Sequence, residues 1–169
     1  MPTSRPAQVV GELTDRGLRP DQLVLMLSEE TLLTSSGNLV ASLGSMHAAG
    51  VRLCLADYGL GHTMIAHRAM LPFDLVRVDL QGLGSIDPHH VATAARSSVA
   101  AADAFGMATL LTGAATGELY ALACDLDVAG VAGPVVGTPV SAARLPALLG
   151  LRGTDRDLPE LPELAGWTP

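Results

Sequence analysis

An α/β fold built on a parallel sheet, about five strands alternating with helices, is what this sequence predicts, and three observations predict it. The first is the stretch Val51–Gly61, Val-Arg-Leu-Cys-Leu-Ala-Asp-Tyr-Gly-Leu-Gly. It is a short run of β-formers that stops at a polar residue and two glycines, as a buried parallel strand does when it empties into a loop. The second is the run Leu75-Val-Arg-Val-Asp79, a second strand separated from the first by a helical pattern, Thr63–Met70. The third is the repetition of this alternation along the chain at a spacing of roughly 25 residues, the length of a right-handed βα unit. A barrel closes with eight strands. Five make either an open sheet or a broken barrel.

In order, Ala7–Gly17 carries Val9, Val10 and Leu13 at helical spacing with a glycine stop, after a polar lead-in over Met1–Pro6. Leu23-Val-Leu-Met-Leu27 is a strand ending at Ser28-Glu29-Glu30. Leu39–Ala49 places Leu39, Val40, Leu43, Met46 and His47 on one helical face, and Gly50 ends it. The Val51–Cys54 strand, the Thr63–Met70 helix and the Leu75–Asp79 strand follow. Gly82–Pro88 reads as a loop because of its glycines and proline. A long alanine-rich helix covers His89–Phe105, with Asp87 placed to cap it. Met107–Leu111 is a strand, Thr116–Ala123 a helix, and Val128–Gly137 an irregular glycine-rich run with a strand inside it. Ser141–Leu149 is the last helix, and residues 151–169 form a proline-rich arm beyond the domain of residues 1–150.

Composition narrows the function. Of 169 residues, 49% are apolar and 16% charged, which is a folded chain with enough apolar surface for a core. The net charge is −7 and every basic residue is an arginine, so no nucleic-acid footprint is present. No signal peptide or membrane-length apolar run is legible, and a cytoplasmic chain is expected. Cys54 and Cys124 lie in apolar surroundings and read as buried reduced thiols rather than a disulfide or metal pair. The histidines, His62, His67, His89 and His90 among them, show no zinc spacing. The two G-x-G runs, Gly59–Gly61 and Gly82–Gly84, do not continue into a dinucleotide fingerprint.

Five motifs in order give a resemblance. Leu23–Leu33 resembles the Glu-(Ile/Leu)-Thr-Glu strand of EAL domains, the bacterial cyclic di-GMP phosphodiesterases. Gly50–Gly61 resembles the family's Leu-Asp-Asp-Phe-Gly-x-Gly segment, and Leu71-Pro-Phe-Asp-Leu-Val-Arg-Val-Asp79 its Leu-Pro-x-Asp-x-(Leu/Val)-Lys-(Ile/Leu)-Asp strand. Leu110–Thr116 falls at Ala-Glu-Gly-Val-Glu-Thr and Gly133–Pro139 at the Gln-Gly-Tyr segment. The resemblance spans Leu13 to about Leu149 and implies an incomplete TIM-like (β/α) barrel. The family hydrolyses a phosphodiester with divalent metals held by carboxylates.

The same comparison implies that this chemistry is gone. The strands bearing the family's name motif and its metal-ligating asparagine precede the matched region. The ligand glutamate of the first strand is Met26, a soft sulfur where a hard cation needs oxygen. The first aspartate of the Asp-Asp pair is Ala56, leaving Asp57. The catalytic lysine is Arg77, which holds a charge but exchanges no proton near neutral pH. The general-base glutamate is Thr112, the second glutamate is Ala115, and the glutamine aligns with Ala132. The expected catalytic residues, metals and cofactors are therefore none.

The survivors each carry two readings. Glu29 resembles the glutamate that orders a neighbouring loop. Asp57, Arg77 and Asp79 are weak ligand-binding candidates. Asp57 equally suits an Asx turn before Gly59, and Arg77 with Asp79 an ion pair on one sheet face. The expected function is a catalytically inactive, regulatory or protein-interaction module tied to cyclic di-GMP signalling. The alternative is a non-catalytic receptor for that nucleotide. A residual phosphodiesterase is the more distant alternative, and a divergent enzyme using Asp57, Arg77 and Asp79 has no positive support. The first strand should present an open edge and an apolar face built from Leu23, Leu25 and Leu27 or their alternates. A homodimer or a protein partner is expected to cover it, unless the Ala7–Gly17 helix and the Leu158–Trp167 arm fold over the gap.

Overall fold

The structure is a computed structural model that describes residues 5–34, 37–56, 72–86, 88–141, 144 and 147. The glycine loop with Asp57, the Thr63–Met70 pattern, Asp87 and the 151–169 arm lie outside the described residues. Two compact units are present, Met1–Val136 and Gly137–Pro169. The boundary drawn after residue 150 lies outside the described residues. The first unit carries the sheet: β1 (Val24–Ser28), β2 (Arg52–Ala56), β3 (Leu75–Asp79), β4 (Ala108–Thr112) and β5 (Gly130–Val131). All pairs are parallel and the spatial order equals the chain order. Consecutive parallel order is the arrangement of a barrel wall, so the fold is an incomplete TIM-like barrel.

The helices of this unit are α1 (Arg5–Asp15), α2 (Glu29–Thr34), α3 (Gly37–Ala48), α4 (Leu80–Ile86), α5 (Val91–Ala104) and α6 (Gly117–Asp125). Strand alternation separates two faces. Leu53, Leu55, Val76, Val78 and Leu111 join one apolar cluster with Leu32, Leu43, Leu80, Leu83, Ala95, Ala102 and Ala123 of the helices. Leu25 and Leu27 belong to this same parity and pack against that cluster. The exposed residues of β1 are their alternates, Val24 and Met26.

Two helix ends feed strands directly. At the end of α3 the Gly50 N–H bonds to the His47 carbonyl and the Val51 N–H to Met46, one residue before β2. At the end of α5 the Gly106 N–H bonds to Asp103 and the Met107 N–H to Ala102, just before β4. This is the Schellman pattern, which satisfies the last carbonyls of the helix and fixes where the strand begins.

Three sequence expectations change. Gly82–Pro88 is not a loop: its first residues belong to α4, and Pro88–His90 is a 3₁₀ turn. Buried Leu80 and Leu83 outweigh the weak propensity of two glycines. A short helix, α2, starts at once after β1, where the sequence predicts only a strand end. The Ser28 hydroxyl accepts the Thr31 N–H at 3.2 Å and caps it. Cys54 is buried as expected, but Cys124 is exposed on α6. Among the described residues, no helix is long and apolar enough to cross a membrane.

The amino-terminal ends of the strands are joined through Asp74. Its Oδ2 accepts the Leu53 N–H at 2.7 Å, and its Oδ1 lies 3.2 Å from His47 Nε2 at the end of α3. Its own N–H bonds to the Leu53 carbonyl, and its carbonyl accepts the Ala108 N–H, both at 2.9 Å. One residue thus ties β2, β3, β4 and α3 together.

Candidate functional site

In a parallel sheet of this kind the carboxyl ends of the strands carry chemistry. Four of the five ends bring candidate positions together. Register places Met26 beside Cys54, Cys54 beside Leu75, and Leu75 beside Ala108. One step up, Ser28 lies beside Ala56 and Arg77 beside Leu110. At the rim, Asp79 lies beside Thr112. Directly paired residues share a face, so Met26, Cys54, Ala56, Arg77, Asp79 and Thr112 all stand on the face away from the helix-packed core.

The polar groups there are largely engaged in holding the backbone. Asp79 Oδ1 accepts the Gln81 N–H at 3.1 Å, which opens α4. It also faces Gly113, where φ is +77° and a side-chain carbon would lie 2.5 Å from that oxygen. Glycine is required there on both counts. The Thr112 hydroxyl points at the Val78 carbonyl, 3.5 Å away. Beyond β4 the Ala114 N–H bonds to the Ala132 carbonyl, and the Ala114 carbonyl accepts the Val135 N–H, both at 3.2 Å. Gly133 lies so close to the Ala114 backbone that any side chain would collide with it. These contacts fold the glycine-rich run over the end of β4.

Arg77 is half-buried, and Cys54 is buried on the same face. Burial pushes the Cys54 thiol up to about 11, and the Arg77 guanidinium opposes part of that rise. Glu29 is the first residue of α2 and half-buried, at the positive end of the helix. Among the described residues ion pairs join Glu12 to Arg16, Arg19 to Asp21 and His47 to Asp74, and Arg77 and Asp79 share one face of β3. Asp57 lies outside the described residues.

The donor set bears on the metal that the family implies. Among the described residues no three histidine, cysteine or carboxylate side chains converge. Met26 offers a thioether, Ala56 nothing, Thr112 a hydroxyl directed at a carbonyl, and Asp79 a carboxylate that caps a helix. These residues do not fit a hard divalent cation, which takes several oxygen ligands.

Sequence reasoning missed Asp74, because its partners are a backbone N–H 21 residues away and a histidine 27 away. The signal available was its place in the Leu-Pro-Phe-Asp segment. It also missed the contact of Asp79 with Gly113, which only the β3–β4 register reveals.

The model of the EAL domain family matches residues 5–139. An uncharacterized signaling protein of Caulobacter vibrioides is 27% identical over 135 residues, 79% of this chain and 17% of its own length. Two solved structures share the fold. The PaMucR phosphodiesterase, in complex with cyclic di-GMP, superposes with a TM-score of 0.70 at 21% identity, over 81% of this chain and 56% of that one. The EAL domain of Mycobacterium smegmatis DcpA superposes with a TM-score of 0.73 at 22% identity, over 86% of this chain and 66% of that one. The chain therefore spans about a sixth of the curated relative and about three-fifths of the solved chains.

Proposed function

Because the chain belongs to the EAL domain family, we propose that it is a catalytically silent member that acts through protein contacts, as a regulatory module linked to cyclic di-GMP signalling. The observation that carries this reading is Met26. It occupies the place of a metal-ligating glutamate in the resemblance, and it stands 46% exposed on β1, the first strand of the sheet. A hard oxygen donor has been exchanged for an exposed apolar side chain, which loses a ligand and gains a surface for contact. Ala56 and Thr112 support the same reading, since neither can hold a metal as a carboxylate does or take a proton from water at neutral pH. The link to the nucleotide rests on the family and on the PaMucR phosphodiesterase, which holds cyclic di-GMP on this fold.

The test is a hydrolysis assay of cyclic di-GMP with magnesium or manganese, paired with a titration of the same nucleotide. No turnover above buffer is expected. Turnover that Asp57→Ala abolishes overturns the proposal. Saturable binding without turnover converts it to the receptor reading, with Arg77 as the first side chain to replace.

A further inference from the structure

We draw no further inference here: the strongest candidate, the exposed apolar turn of Val135 and Val136 that follows β5 and is tied by its backbone to Ala114 beyond β4, carries no proposal because nothing in the structure shows what covers it.

Discussion

The two ends of the sheet use their polar residues differently. At the amino-terminal ends Asp74 spends both carboxylate oxygens and both backbone groups on β2, β4 and α3. At the carboxyl ends stand Met26, Ala56 and Thr112, and Asp79 is turned to a helix start. Parallel barrels divide labour in this way, with stability at the bottom and chemistry at the top. Here the bottom clamp is built in full, while the described part of the top keeps backbone supports without a convergent set of ligands. The contacts that hold the bottom of the strands therefore draw on none of the residues at the top.

The most severe way to break this contrast is to remove the clamp. Asp74→Ala leaves the Leu53 N–H without its acceptor in a part-buried setting and takes from His47, near the end of α3, its carboxylate partner. A lost bond to a charged group together with a stranded donor costs about 3 kcal/mol. Urea denaturation should show a loss of that size, and Asp74→Asn, which keeps one carbonyl oxygen, should lose less than half of it. Equal losses for the two variants would mean that the carboxylate charge, not the Leu53 bond, matters most.

The contrast also explains what the sequence made legible. The central strands were readable because strands buried on both faces demand continuous apolar runs, and Leu75–Asp79 emerges with its predicted bounds. The consecutive wall order came with the family resemblance, since the alternation of strand and helix by itself fits an open sheet as well as a broken barrel. Local glycine content misled at 82–88, where Leu80 and Leu83 bury themselves and Asp79 supplies the turn. The parity of β1 is not legible because Val24-Leu-Met-Leu27 is apolar at every position, so no alternation marks which side faces the core. The clamp was invisible because its acceptor meets a backbone N–H, which no side-chain pattern records. Asp57, which the resemblance places in the family's Asp-Asp segment, lies outside the described residues.

A milder break lies at the top. Gly113→Ala puts a carbon 2.5 Å from Asp79 Oδ1 at a φ of +77°, adding overpacking to a left-handed backbone, for about 2 kcal/mol. Because the clash is with one carboxylate, the costs of Gly113→Ala and Asp79→Ala should not add. The double variant should be more stable than the sum of the single losses predicts. Strict additivity in chemical denaturation would show that the crowding comes from the backbone near Gln81 instead.

The smallest expected effect sharpens the comparison through a single thiol. Cys54 is buried at the middle of the sheet, between the clamp below and Arg77 above, and Cys124 is exposed. Burial is the main reason that the Cys54 thiol titrates near 11 rather than 9.0, with Arg77 pulling the other way. The folded chain therefore keeps a proton that the unfolded chain surrenders. The stability tied to that proton is whole below pH 9, declines as the pH rises towards 11, and levels off above it. The decline should amount to about 1 kcal/mol, allowing for partial solvation of the thiolate. The chain contains no lysine, which removes the commonest background in that window. The exposed Tyr120 hydroxyl, raised by its hydrogen bond to Cys124, also titrates on the alkaline side. The informative quantity is thus the difference in slope between the wild type and Cys54→Ala from pH 8 to 11. Arg77→Gln should steepen the decline, because it removes the charge that favours the thiolate. An unchanged slope would mean that Arg77 directs its charge away from Cys54, towards the open top of the sheet.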